Sequence, residues 1–522
     1  MTTSIPFYIT TAISYPNGAP HMGHAYEAIL ADVLARFQRM DGANVFFLTG
    51  VDEHGIKMVQ TAAGENLTPA QLADRNSPLF QSLCDSLDIS YTRFIRTSEP
   101  THHQAAQALW NQLVASDTIY KGTYAGWYSV RDEAFYAEDE TRLDADNIRR
   151  GPQGTPVEWM EENTYFFRLS AFQDQLLQYY RDHEAFIFPD SSRKEILSFV
   201  RSGLKDLSIS RTLFTWGVPV PNDPNHVMYV WVDALANYLT GIGYPNTNSE
   251  TWRFWPANVH MIGKDITRFH CVYWIAFLMA AGLPLPKHIA AHGFIFYRGE
   301  KMSKSLGNTV DPNILLAQYG SDALRYFLLR NIAFGEDGSY SHDGIITRLN
   351  KDLANDFGNL AQRTLTMIAK NCHGLLPKPQ EMHPEDQALL IQAEDLLSRL
   401  RLTLLNAYGF HTALADIWTF VAEINRYFAS HEPWRLNKTD TVRRDTVLYT
   451  TAEALRRLGI LLLPFIPRAA SKLLDLLSVP SQARTFRALG DETCCLESGL
   501  SLPAPIPLFP RYDSLNEARA SG

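Results

Sequence analysis

Two short segments of this 522-residue chain constrain its fold more than any other feature: His21-Met22-Gly23-His24 and Lys301-Met302-Ser303-Lys304-Ser305. The first follows a strand-like run, Phe7 to Ala12. It opens a helix-like run in which Ala25, Ile29, Val33, Phe37 and Met40 keep helical spacing. Both imidazoles therefore fall at a helix N-terminus, where unpaired N–H groups and the helix dipole favour phosphate. Gly23, lacking Cβ, lets the backbone approach a base or a phosphate closely. The second segment places two ammonium groups, Lys301 and Lys304, on a Gly- and Ser-rich loop suited to closing over a pyrophosphate leaving group. There they would act where negative charge grows in a transition state. Either segment alone also suits turn histidines or a solvated loop; together, in this order, they describe handling of a nucleoside triphosphate.

Residues 1–115 alternate strand-like and helix-like segments, with a second strand at Val45 to Leu48 running into Gly50-Val51-Asp52-Glu53-His54-Gly55. The pattern returns at Met228 to Trp231 and at Asn258 to Ile262, before Gly263-Lys264-Asp265. This predicts an α/β, Rossmann-like parallel-sheet catalytic domain in two pieces, 1–115 and 226–298, with functional residues placed after strands. The aromatic, acidic and turn-rich stretch 116–225 reads as a connective insertion. Residues 299–344 carry the lysine loop and a linking segment, and 345–500 have the pattern of an all-α helical bundle. The stretch 501–522, Pro-rich and then polar, is expected to be loose.

A net charge of −9 and a pI near 6.0 give no global nucleic-acid signal, so any RNA contact must use local basic patches. The five cysteines are odd in number and scattered, which suits reduced thiols in the cytoplasm. No secretory signal is evident at the N-terminus. The longest apolar run, Trp274 to Leu283, is well short of the ~20 residues of a membrane-spanning helix.

The two signature segments resemble the HIGH and KMSKS motifs of the class I aminoacyl-tRNA synthetases, the first with Met22 in place of isoleucine. Leu48 to Gly55, Tyr229 to Ala234 and Gly263 to His270 narrow the resemblance to the methionyl-tRNA synthetase family, across nearly the whole chain. The resemblance implies activation of L-methionine with ATP, transfer to tRNA(Met), and release of AMP and diphosphate. His21, His24, Lys301 and Lys304 would stabilise phosphate charge, with magnesium accompanying ATP. Gly23, Gly263, Lys264 and Asp265 would bind ATP, the last accepting ribose hydroxyls.

Asp52 is carried over as partner of the substrate ammonium, a charge-assisted contact that a carboxylate after a core strand can make. Ala12, Ile13, Tyr15, Trp231, Ala234, Tyr238, Ile266 and His270 are implied as the methionine pocket. An unbranched thioether is recognised by shape, apolar burial and sulfur–aromatic contacts. Asn359, Arg363 and Trp434 resemble anticodon-reading elements. Their chemistry alone reads as simply as an exposed Asn and Arg on a bundle and a tryptophan in a core.

Many members of the family hold zinc in the insertion through cysteine pairs. Here no cysteine lies between Cys84 and Cys271, so no zinc is expected, and the insertion is expected to pack through Trp127, Tyr128, Phe135 and Tyr136. A monomer acting on initiator and elongator tRNA(Met), without a membrane, is the simplest expectation. Two alternatives stay open at this level. One is another class I synthetase for an apolar amino acid, although 116–225 is small for a hydrolytic editing domain. The other is a non-catalytic tRNA-binding paralogue.

Overall fold

The computed structural model describes residues 4–130, 134–297, 300–301 and 310–512. Its main sheet has six strands in the order Arg93–Arg96, Asn44–Val51, Pro6–Thr11, Val259–Gly263, Ile289–His292 and Ile187–Phe188. Every pairing in it is parallel. The chain builds outward on one side of Pro6–Thr11; on the other, Ile187–Phe188 takes the far edge before Val259–Gly263 and Ile289–His292 fill the places between. A topological switch point therefore lies between Pro6–Thr11 and Val259–Gly263, and open α/β sheets bind ligands beyond the carboxyl ends of strands at such a point.

Both faces of the sheet are covered, which is why its strands are apolar at successive positions. Ile9, Val45 and Phe47 belong to a core shared with the HMGH helix, Met22–Met40, whose Ala25, Ile29, Val33 and Phe37 are fully buried. Their chain neighbours Tyr8, Phe46 and Leu48 join a second core with helix Val230–Thr240 and with Phe277 and Leu278. Alternate residues thus serve opposite layers, as the twofold period of a strand requires.

Within 116–225, Ile119–Ser129 and Glu158–Phe167 form a long antiparallel pair flanked by Ala134–Tyr136 and Leu207–Ser208. Trp127 packs edge-on against Trp159 at 5.4 Å, with the Arg149 guanidinium 4.4 Å over its ring. Tyr128 and Tyr136 are buried, and the side chain of Phe135 lies outside the described residues. The same stretch supplies Ile187–Phe188 to the edge of the parallel sheet, against Ile289 and Ala290. Its second half is therefore built into the parallel sheet. A strand of two residues carries no period for sequence reading to detect.

Ile295–Tyr297 pairs antiparallel with Glu300–Lys301 and parallel with Gly338–Tyr340, so the backbone of Lys301 lies on a strand opposite Phe296. Beyond it, helices Asn359–Asn371, Pro384–Ala407 and Phe410–Ser430 surround Thr441–Leu462, which is buried on almost every side. Arg325, on helix Ser321–Asn331, is fully buried at the junction. It donates to the carbonyls of Leu87, Pro464 and Phe465 and pairs with Asp32 of the HMGH helix at 2.8 Å. Burial alone would raise the Asp32 carboxyl; Arg325 and Arg36 more than offset it and hold it below its usual range.

Residues 501–512 are not loose. Lys472 Nζ donates to the Pro507 carbonyl at 2.8 Å, Leu508 is buried, and Asn350 exchanges two hydrogen bonds with the Tyr512 backbone at 2.8 and 2.9 Å. These partners lie far away in sequence and bond to backbone atoms of the stretch, so composition carries no trace of them. The stretch forms a strap across the start of the bundle.

Candidate functional site

His21 caps the HMGH helix, and its Nδ1 accepts from the Gly23 N–H at 3.1 Å. His24 Nδ1 accepts in return from the His21 N–H at 3.0 Å, and the two rings stack 3.8 Å apart. A ring nitrogen that accepts from a backbone N–H carries no proton. In each neutral ring the proton is therefore assigned to Nε2, which makes that atom the donor. A Cβ on Gly23 would lie 2.9 Å from Cε1 of His21, so the stacked cap itself demands glycine there. Lys301 is described only in its backbone, and Lys304 lies outside the described residues.

The segment after the first strand is held on both sides. Ser14 N–H donates to Gly50 O at 3.3 Å, Asp52 N–H donates to Ser14 O at 2.9 Å, and Ala12 N–H donates to Met261 O at 3.1 Å. This brings Ala12, Ile13 and Tyr15 beside the buried Asp52. Ala12, Ile13, Tyr15, Trp231 and Ile266 pack against one core together with Tyr238, and Ala234 is buried on the helix that carries Trp231 and Tyr238. Trp231 stacks on Phe269 at 3.8 Å with the rings nearly parallel, and meets His270 edge-on.

His270 Nδ1 donates to Ile266 O at 3.0 Å, which leaves Nε2 to accept from the Tyr238 hydroxyl at 2.6 Å. Burial pushes His270 down to about 4 and keeps it neutral in that tautomer. Tyr238 also stacks on His260, which is bonded to Thr10 and Trp274 and is depressed by burial in the same way. The polar groups behind the pocket satisfy one another, and the face they support is aromatic.

Gly263, Lys264 and Asp265 stand at the carboxyl end of Val259–Gly263. Lys264 pairs with Asp337 at 2.7 Å and lies over the Phe294 ring. A Cβ on Gly263 would come within 2.7 Å of the Asp265 carboxylate. Two constellations escaped sequence reading. Glu27, one turn after His24, accepts from Ala12 N–H at 2.9 Å and meets His292 Nε2 at 3.0 Å. Burial raises Glu27; His292, which burial alone would depress, is held up by that carboxylate. The helical offset from His24 was the available signal for Glu27.

The second constellation is buried: Asp233 binds His54 Nδ1 at 2.7 Å and His102 Nε2 at 2.6 Å. Burial would raise Asp233, but the two imidazoles hold it well below the usual carboxylate range. The His54 backbone N–H also donates to Asp52 Oδ1 at 3.3 Å, which connects the Asp52 turn to the helix that carries Trp231 and Tyr238. Its members come from three distant segments, so no local spacing announces them.

On the bundle, Asn359 and Arg363 are both exposed on one helix face. The Arg363 guanidinium lies 5.0 Å over the Phe428 ring and 5.5 Å over that of Trp434. Trp434 is 41% exposed, so it is not a core tryptophan. Among the described residues no group of three His, Cys, Asp or Glu side chains could hold a metal ion, and no helix is long and apolar enough to cross a membrane.

The family model for class I tRNA synthetases (M) matches residues 7–365, and that for the anticodon binding domain of methionyl tRNA ligase matches 376–519. Asn359 and Arg363 fall within the first match and Trp434 within the second. Methionine–tRNA ligase of Brucella suis is 59% identical over 98% of this chain and 99% of its own length; that of Rhizobium meliloti is 58% identical over 98% and 99%. The solved structure of Mycobacterium tuberculosis methionyl-tRNA synthetase with methionyl-adenylate superposes with a TM-score of 0.94, at 53% identity, covering 97% of this chain and all of that one. With the split parallel sheet, the stacked histidine cap and the aromatic pocket already in place, these matches show that the chain belongs to the methionine–tRNA ligase family of class I tRNA synthetases.

Proposed function

We infer that the protein activates L-methionine with ATP and then charges tRNA(Met). A methionine carboxylate oxygen bonds to the α-phosphorus as the bond to the β-phosphate oxygen breaks, giving methionyl-adenylate and diphosphate. A terminal hydroxyl of the tRNA then takes the methionyl group and AMP leaves. Neither step needs a protein nucleophile; the protein positions its substrates and stabilises phosphate charge.

In this reading Asp52 holds the ammonium. Trp231, Tyr238 and His270, with Ala12, Ile13, Tyr15, Ala234 and Ile266, enclose the thioether. His21 and His24 direct Nε2–H at the phosphates, together with Lys301 and Lys304. Gly23, Gly263, Lys264 and Asp265 take the nucleotide. Magnesium would accompany ATP and offset charge on its phosphates. The observation that carries the assignment is the gathering of Asp52, the histidine cap and the Tyr238–His270 wall at the carboxyl ends of adjacent parallel strands.

Asn359, Arg363 and Trp434 read the anticodon in this view, supported by the exposure of all three. All five cysteines are free thiols, which supports a reducing compartment, the cytoplasm. A monomer serving initiator and elongator tRNA(Met) is the expected form, checked by gel filtration and by charging both tRNAs. Amino-acid-dependent pyrophosphate exchange tests the core reading. Exchange should require methionine and fail with leucine, isoleucine or valine; equal exchange with any of those would overturn it.

A further inference from the structure

We propose that Asp233 is a positioning residue: it sets the distance between the Asp52 carboxylate and the aromatic wall of Trp231 and Tyr238, and so fixes the length of side chain the pocket accepts. This rests on the reading of Asp52 as partner of the methionine ammonium and of that wall as the seat of the thioether. Helix Val230–Thr240 has two working faces. Trp231, Ala234 and Tyr238, three and four residues apart, share the one given to the pocket. Asp233 and Thr240, seven apart, share the other. Both are buried and both meet His102, the carboxylate at Nε2 (2.6 Å) and the hydroxyl at Nδ1 (3.0 Å). One imidazole, carried by helix Pro100–Ala115, therefore clips the pocket helix at two points about two turns apart. Asp233 lies in the first turn, where the helix dipole favours its charge.

The second oxygen of Asp233 ties the same helix to the ammonium site. It accepts from His54 Nδ1 at 2.7 Å, and the backbone N–H of His54 donates to Asp52 Oδ1 at 3.3 Å. One residue thus holds the substrate-facing carboxylate through its main chain and the pocket helix through its ring. Between them in sequence, Glu53 is fixed by Arg96 at 2.6 Å and by Ser77 at 2.5 Å, and the Trp216 indole N–H donates to its carbonyl. The Asp52 turn therefore has its own footing, and Asp233 joins the pocket helix to it. Side chains that differ by one methylene are told apart by roughly 10- to 200-fold in an apolar pocket. That discrimination requires the two ends of the site to keep a fixed separation, which a doubly bonded buried carboxylate supplies.

The test is pyrophosphate exchange driven by methionine, by ethionine, one carbon longer, and by S-methylcysteine, one methylene shorter, with melting temperature as the fold control. Asp233→Asn keeps the size of the side chain but loses its charge and one of its two acceptors. It should raise the methionine KM about tenfold and narrow the preference for methionine over both analogues by roughly tenfold, with kcat and the KM for ATP close to native. His54→Leu should do the same. His54→Asn, whose amide can donate from near the place of Nδ1, should recover most of the preference. Where Asp233→Asn does not fold, the two His54 variants decide. A lowered melting temperature with native KM and native preference would overturn the proposal, leaving Asp233 a support of the fold alone. A raised KM with native preference would overturn it as well. Asp52→Asn in the same assay separates this from the underlying reading: a large rise in methionine KM keeps that reading whatever Asp233 does, and an unchanged KM overturns it.

Discussion

In the pocket proposed for methionine, Tyr238 and His270 are buried and bonded to each other, and His270 is further fixed by the Ile266 carbonyl. On the bundle, Arg363 and Trp434 stand in solvent, held by a ring and a guanidinium rather than by a saturated hydrogen-bond network. The ligands proposed for the two sites account for the difference. A thioether brings almost no hydrogen-bonding capacity, so any unsatisfied group in its pocket would cost ~1–3 kcal/mol. An anticodon brings bases and charge of its own, and an exposed amphipathic surface can receive it. One site must be complete before the ligand arrives; the other can be completed by it.

The strongest way to break this contrast is at the catalytic edge. His24→Ala or Lys304→Ala should slow adenylate formation by about 10²–10³, as loss of a transition-state donor does. Single-turnover rates check this, and methionine binding should survive. An unchanged rate would remove that residue from phosphate stabilisation.

On the exposed side, Trp434→Ala should lower kcat/KM for tRNA bearing CAU by roughly ten- to a hundredfold, from the loss of a stacking surface worth ~1–3 kcal/mol. Pyrophosphate exchange should stay nearly intact. Because the ring is 41% exposed, its removal should leave the melting temperature close to that of the native protein, in contrast to a core tryptophan.

Acid should act on the buried side. The folded His270 sits at about 4, below the ~6.5 of a free imidazole, so the unfolded chain binds more protons between those values. Its contribution is complete above about pH 6.5 and is lost as pH falls toward 4, by about 1.4 kcal/mol per pH unit. Denaturant midpoints measured from pH 7 to 5 should decline, and His270→Gln should flatten that decline. Tyr238→Phe should raise the methionine KM about fivefold with little change in kcat, because it leaves His270 Nε2 without its donor. At the bottom of the scale, zinc-selective chelation with magnesium supplied should leave activation unchanged, and elemental analysis should find no stoichiometric zinc.

The central strands and the HMGH helix were legible because pattern and cap agree: Ala25, Ile29, Val33 and Phe37 keep one face, and a polar His21 precedes it. The Ile187–Phe188 strand was not, being too short for periodicity and contributed from a stretch that reads as an insertion. The Asp233–His54–His102 cluster was also hidden, since only the closed fold brings those segments together. The exposure of Trp434 could not be read either, because a tryptophan next to a proline looks the same in a core or on a surface. The strap at 501–512 was obscured by its proline content, its attachments being backbone carbonyls and amides.

Arg325 has a consequence for how the two parts of the chain are spaced. One guanidinium, out of reach of solvent, fastens the helix that begins with the two histidines to the Pro464–Phe465 turn of the bundle. Releasing it would leave Asp32 to Arg36 and Ser90 and free the Leu87, Pro464 and Phe465 carbonyls of their buried donor. The spacing between the nucleotide-handling helix and the bundle is thus fixed through a single buried side chain rather than through a broad surface of exposed contacts.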